Sequence, residues 1–453
     1  MLRSWIGRIG QEDNSARRSV YRRLPWHSPG IQVNLSLFNF GRLDFPVMFG
    51  AQIRGLRPGP SVVHEEIWQM LTEQGCRQRR SRLWQQIPEE IEWLLVGDVR
   101  HVQYLSGFRV NPISFSADQK GLLLLKRSGK TVLLADNFTK RSAGCPYYVD
   151  DEIITPWYTH RRSVTSRHEA LTQAIAEARP YWSGSTGLIE PEGLTEMTAA
   201  MVAEDAAWQF AADEDAEPQT LGDVLRELRR SKDEDEVALL RRCMQACTAG
   251  HRRAIEVIQP GVSELEVYLE VQRAAQMEAG EPCVVYGDFR ATHASLPKAG
   301  GLPTGYRLRE GDLFILDYSV ILHGYRSDFT NTLPAGTPSS AAADQLLACR
   351  ETLQTTAQLL RPGTSCRELW EVASASLVQH GMGELTHHAG HGLGLEHPES
   401  PILVPESTDV LRAGDVVTLE PGCYREGVGG VRLENNYLIT ESGFEQLNAS
   451  PWD

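Results

Sequence analysis

Leu308 to Asp317 reads LREGDLFILD and Leu411 to Glu420 reads LRAGDVVTLE, so one ten-residue phrase occurs twice and ends both times in a carboxylate. The likeness runs on downstream: Gly324 to Asp328 is GYRSD and Gly430 to Glu434 is GVRLE, each a Gly-x-Arg-x-acid pattern. Two copies of one unit paired about a pseudo-twofold axis would bring Asp317, Asp328, Glu420 and Glu434 together.

Asp317 sits in the middle of an apolar run, LFILDYSVI, where an ionised carboxylate is strongly disfavoured unless it is compensated. Four clustered carboxylates repel one another unless cations lie among them. Two divalent ions would cancel the charge, and two-metal sites with separations of about 4 Å are a standard means of activating water. His391, within the Gly-rich stretch HHAGHGLGLEHPESP, offers a nitrogen donor where glycines permit close backbone approach. Mostly oxygen donors with one nitrogen suit Mn, Fe, Co or Zn, and ligand type alone does not choose among them. The competing structural reading is that the acids salt-bridge to Arg326 and Arg432, but it leaves His391 and its glycines unused.

At 453 residues and 41% hydrophobic content the chain outgrows a single core, so two or more domains are expected. A net charge of -14 and a pI near 5.5 argue against nucleic-acid and anionic-membrane partners. The longest membrane candidate, GLLLLKRSGKTVLLAD, is broken by Lys126, Arg127 and Lys130 and reads as two strands joined at Ser128-Gly129. The amino terminus has no continuous apolar run, so no secretory signal and a cytoplasmic location are expected. The eight cysteines form no C-x-x-C pair, and Cys243 and Cys247, one helical turn apart, read as packing residues.

Residues 1–70, Arg-rich and then Pro/Gly-rich, read as an extension without assigned structure. Alternating strands and helices follow: a basic helix CRQRRSRLWQQI, a strand IEWLLVGDV, a helix or loop HVQYLSGF, and the two strands just noted. Helices are expected over RHEALTQAIAEARPYW and TEMTAAMVAEDAAWQFAAD. A single charged helix is expected from Leu221 to Ile258, broken at Gln259-Pro260-Gly261. Beyond Cys283 strands dominate, with helical segments between the two repeats, which is an α+β pattern of two related halves.

DYSVILHGYRSDFTNT, HHAGHGLGLEHPESP, LEPGCY and GVRLENNYLIT resemble the metal-binding motifs of the pita-bread metallopeptidases: prolidases, Xaa-Pro aminopeptidases, creatinase and methionine aminopeptidases. RQRRSRLW, LLVGDVRHVQYLSGF and LRRSKDEDEVALLRR extend the likeness upstream, toward the creatinase/prolidase branch. The resemblance implies an α/β creatinase-type domain over 71–228 and a pita-bread metallohydrolase domain with an internal pseudo-twofold repeat over 229–453. It also implies two divalent metal ions, with Mn placed first and Co, Fe or Zn as alternatives. Asp317 would hold one metal, Asp328 and Glu434 would bridge both, and His391 and Glu420 would hold the other. Glu420 would shuttle the proton of a metal-bridging hydroxide, and Arg432 and His387 would stand on the substrate side. The implied substrate is a small peptide with proline at its second position, and the implied assembly is a homodimer or homotetramer.

Two substrate-side positions depart from the family's pattern. A histidine is expected seven residues after the metal histidine, but His397 comes one residue early and Pro398 takes the slot, while Glu399 and Pro401 stay in register. His397 is kept as a catalytic candidate. A second histidine belongs before a Pro-Thr dipeptide, where this chain has Gly300-Gly301, and His293 is the nearest substitute. These departures keep two alternatives open: a creatinase-like non-peptide C–N hydrolase or lyase, or a metal-retaining non-peptidase binding protein.

Overall fold

A computed structural model of the chain describes residues 70–110, 118–161, 166–211 and 217–449, so the extension read over 1–70 lies outside them apart from Met70. The first sheet has six strands in the order 151–155, 131–136, 122–126, 93–96, 187–189, 206–207, with both parallel and antiparallel neighbours. Its central strands are buried on both faces, and alternation sends their residues to two separate cores. Leu94, Val96, Leu123, Leu125 and Leu133 enter one, while Trp93, Leu95, Leu122, Leu124 and Leu134 enter the other. Gly129, at φ 95°, closes the turn between Leu122–Lys126 and Thr131–Asp136 as expected. HVQYLSGF resolves to the helix Val99–Ser106, capped by Asp98 and ended by Gly107 in the left-handed region.

Two helical expectations are corrected. The stretch TEMTAAMVAEDAAWQFAAD holds only the short helix Glu196–Ala200, followed by turns and the strand Ala206–Ala207, which joins the sheet edge. The single charged helix is two, Leu221–Leu228 and Glu234–Val257. Asp233 and Glu236 form a capping box that starts the second helix afresh. The interrupting residues are held by partners far along the chain: Arg230 pairs with Asp415 at 2.9 Å and Lys232 with Glu399 at 2.6 Å.

The carboxy-terminal half contains a sheet of 329–334, 313–322 and 284–292, with 325–326 attached to 313–322. A second sheet has the order 399–403, 390–392, 416–419, 435–439, 444–446. Helices Glu234–Val257 and Glu264–Ala279 accompany the first copy, and Ser340–Ala357 and Cys366–Gln379 the second. Cys243 and Cys247 are fully buried on the first of these, as packing residues should be.

The repeated phrase folds the same way twice. Arg309 N donates to Asp312 Oδ2 at 2.8 Å, and Arg412 N to Asp415 Oδ2 at 2.8 Å. Gly311 N reaches Ala335 O at 2.8 Å, and Gly414 N reaches Ile439 O at 2.8 Å. Both glycines are left-handed, at φ 84° and 90°. Upstream, Gly261 N donates to Leu308 O and Gly363 N to Leu411 O, at 2.7 and 2.8 Å, each just before a helix capped by a serine, Ser263 or Ser365. The repeat is therefore longer than its ten letters, starting at Pro260-Gly261 and Pro362-Gly363.

Candidate metal centre

Strand Leu313–Leu322 divides its side chains between two faces. Tyr318 turns inward and donates its hydroxyl to Cys247 O at 2.6 Å, while Asp317 turns to the other face, with Asp288 and Thr330 as its neighbours across the sheet. Asp328 follows the hairpin, fixed where Ser327 Oγ accepts Val320 N at 2.8 Å. In the second copy Glu420 stands just past Val416–Leu419, and Glu434 lies between the strands Gly429–Arg432 and Asn435–Ile439. The two copies brace each other: Glu434 N donates to Thr330 O at 3.0 Å, and Thr330 Oγ1 donates to Glu434 Oε2 at 2.6 Å.

His391 is held on the short strand Gly390–Gly392, its N–H donating to Thr418 Oγ1 at 3.2 Å. A Cβ on Gly390 would lie 2.0 Å from Thr418 O, so the backbone here comes as close as glycine alone allows. The His391 Nδ1 donates to Gly392 O at 2.9 Å, which leaves Nε2 facing Asp328 Oδ2 at 3.4 Å and Glu420 Oε1 at 3.5 Å. A ligating histidine is oriented by its other nitrogen in this manner.

Ligand atoms of His391, Glu420 and Glu434 lie within 4.8 Å of one another, and so do those of Asp317, Asp328 and Glu434. The groups share Glu434, whose Oε1 is buried without a hydrogen-bond partner among the described residues. A carboxylate common to two carboxylate-rich triads, with one buried oxygen unpartnered, suits a dinuclear cation site, so these residues fit two divalent ions. The repulsion among the acids appears as displaced protons. Burial, reinforced by Asp328, Glu420 and Asp317, pushes the Glu434 carboxyl well above its ordinary value. Burial also lifts Asp317 to about 6 against the pull of Arg432. Asp328 is held low against burial by hydrogen bonds from His391 and His397. Glu420 is likewise held low against burial by His388 and His391. Against its own burial, His391 is pushed up to about 9 by Asp328 and Glu420.

The remaining candidates divide. His397 joins the group despite its shifted position, with Nε2 2.5 Å from Asp328 Oδ2. His387 groups with His388 and Glu420 and faces Tyr424 Oη at 3.4 Å. The Arg432 guanidinium contacts Asp317, with Asp288 Oδ2 at 3.0 Å and Tyr424 Oη at 3.2 Å. His293 is absent from these groups; it stacks on Tyr306 and bonds Ser295. Sequence reasoning missed His388, whose Nδ1 is 3.2 Å from Glu420 Oε1, and Asp288, which also accepts Gly301 N at 2.5 Å. The doubled His387-His388 was a signal for the first. For Asp288, only cross-strand register with Asp317 reveals its place.

Residues 238–441 match the model of metallopeptidase family M24. An Xaa-Pro dipeptidase of Pyrococcus horikoshii is 31% identical over 230 residues, which span 50% of this chain and 64% of that relative. An uncharacterised peptidase of Staphylococcus aureus is 28% identical over 366 residues, 77% of this chain and 92% of its own length. The solved structure of an Xaa-Pro dipeptidase from Bacillus anthracis aligns with a TM-score of 0.64 at 23% identity, over 84% of this chain and 98% of that one, a likeness of fold.

Proposed function

The carboxy-terminal part of this chain, residues 238–441, belongs to metallopeptidase family M24, the pita-bread group, and from that premise we propose that the protein is a dinuclear-metal hydrolase of Xaa-Pro peptide bonds. The observation that carries the reading is Glu434, shared by two triads and left with one buried oxygen free. His391, Glu420 and Glu434 would hold one ion, and Asp317, Asp328 and Glu434 the other, with Asp328 also within reach of His391. Two ions so held supply Lewis-acid activation of a water and of the scissile carbonyl.

The chain's own residues do the rest. Glu420, ionised beside His388 and His391, accepts a proton from the attacking water and returns it to the leaving amine. His397 and His387 present ring nitrogens on the substrate side, where charge develops on the carbonyl oxygen. Arg432 keeps Asp317 anionic and oriented.

The finer parts of the proposal are manganese as the resident ion, domains over 71–228 and 229–453, a homodimer or homotetramer, and a cytoplasmic location. Among the described residues no helix is long and apolar enough to cross a membrane. One observation favours a second reading, non-peptide C–N hydrolysis or a lyase reaction: Asp288 and Gly301 are joined where the family pattern has a histidine. Protein reconstituted with Mn, Co, Fe or Zn is expected to hydrolyse Xaa-Pro dipeptides or tripeptides, and Asp328→Asn to abolish that turnover. No turnover in protein shown to hold two ions would replace the first reading with the second.

A further inference from the structure

His397 stands one residue ahead of the slot the family pattern assigns, yet its ring reaches Asp328. Two glutamates bracket it. Glu399, with a side chain 8% exposed, receives Lys232 Nζ at 2.6 Å and the Arg229 guanidinium. Glu396 receives Arg229 Nη2 at 3.3 Å on one oxygen and the Arg100 guanidinium on the other.

These cations are themselves held. Arg229, 3% exposed, lies with Nη1 3.1 Å from His101 Nε2, and His101 Nδ1 faces Glu190. Glu190 Oε2 accepts Gly97 N at 2.9 Å and Asp98 N at 2.8 Å. Asp98 caps the helix that begins at Val99, accepting Arg100 N at 2.8 Å, and pairs with the Arg100 guanidinium. Polar contacts therefore run unbroken from Glu190, beyond the strand Gly187–Ile189 of the first sheet, to the loop that carries His397. An exposed ion pair alone contributes little to stability. This one shares its carboxylate with the buried Arg229, so Glu396 keeps one cation when Arg100 is removed and loses its second tether.

We infer that Arg100, acting through Glu396, is a positioning residue for His397, so that the amino-terminal α/β region sets where the displaced histidine meets the reacting groups. What His397 does there rests on the peptidase reading; the clamp itself does not. Beyond its contact with Asp328 and its edge packing on His391, the His397 ring depends on its loop for position, and a misplacement of about 1 Å near the chemistry costs on the order of 10²-fold.

The test is a double-mutant cycle in the metal-loaded, full-length protein, with Arg100→Met keeping the aliphatic stem. With an Xaa-Pro dipeptide, Arg100→Met is expected to lose about tenfold in kcat/KM, chiefly in kcat, while metal content and unfolding midpoint stay unchanged. In a His397→Ala background the same change is expected to cost nothing more, and Arg100→Lys should recover part of the loss. Wild-type kcat/KM in Arg100→Met, or equal losses in both backgrounds, would overturn the inference. A second arm is independent of turnover: a glutamyl endoprotease should cleave after Glu396 faster in Arg100→Met than in the parent, and equal rates would also overturn it. A parent that hydrolyses no Xaa-Pro peptide, with cleavage accelerated in the variant, sinks the peptidase reading and leaves the clamp standing.

Discussion

The two copies of the repeat share their turn hydrogen bonds and differ in what they place around the acids. In the first copy Asp317 lies within a continuous strand, flanked by Asp288 and facing Arg432, and its carboxyl is lifted by burial to about 6. In the second copy Glu420 lies past a strand end, faces His388 and His391, and is held ionised. Duplication fixed where the acids stand, and their surroundings then shifted the two carboxyls in opposite directions. The base in the proposed chemistry comes from the copy that carries the histidines.

The sharpest way to break the comparison is acid, because only the first copy backs its sheet with a buried neutral histidine. His251 is fully buried in helix Glu234–Val257, with Nε2 donating to Phe329 O at 3.0 Å and Nδ1 accepting from Asn331 Nδ2 at 3.3 Å. Burial depresses it from 6.5 to about 3. The unfolded chain therefore binds a proton that the folded one refuses between those values. The stability this group contributes is complete above pH 6.5 and is lost as pH falls toward 3, by about 5 kcal/mol in all. Urea unfolding at pH 7 and pH 4 should show the drop, and His251→Gln should flatten it; an unchanged slope in that variant would place the acid sensitivity elsewhere.

Much of the centre was legible because local pattern encoded it. LRxGD prescribes a left-handed glycine and an aspartate bonding back over the turn, and both copies do this. The acids then fall at fixed distances along the strands, and His391 stands among glycines that its close backbone approach requires. What was not legible depends on partners far away in sequence. Nothing local in the basic helix CRQRRSRLWQQI shows that Arg79 is fully buried against Asp233 and Asp235. Arg230 and Lys232, held by Asp415 and Glu399, likewise interrupt the helix expected over 221–258. Counting residues left His397 out of place, because the ties that aim its loop come from Arg100 and Arg229, and no local rule reveals them.

A smaller effect sharpens the likeness of the two turns. An alanine at either Gly311 or Gly414 would meet the left-handed penalty of roughly 1–2 kcal/mol. At Gly311 the nearest atom to the new Cβ is Thr337 O at 3.7 Å, which is ordinary contact, whereas at Gly414 it would lie 2.5 Å from Ser231 Oγ and 3.1 Å from Ser231 Cα. Overpacking adds about 1–3 kcal/mol. Gly414→Ala should therefore have the lower unfolding midpoint of the two, and equal midpoints would mean that the segment at Ser231 yields freely.

The smallest effect separates two threonines that support carboxylates in the two copies. Thr330 Oγ1 donates to Glu434 Oε2 at 2.6 Å and ties the first copy to the acid shared by both triads, whereas Thr418 Oγ1 donates to Glu420 Oε1 at 3.3 Å. Valine keeps the shape and removes the hydroxyl. Partners that orient a ligand typically contribute 10–100-fold in metal affinity. Thr330→Val is expected to weaken binding of both ions by about that range in a competition titration with a chromogenic chelator. Thr418→Val should do less, and mainly at the ion near His391, because its bond is longer and Glu420 retains His388. Equal losses in the two variants would mean that the halves support the centre alike, and that Glu434 is not the joint between them.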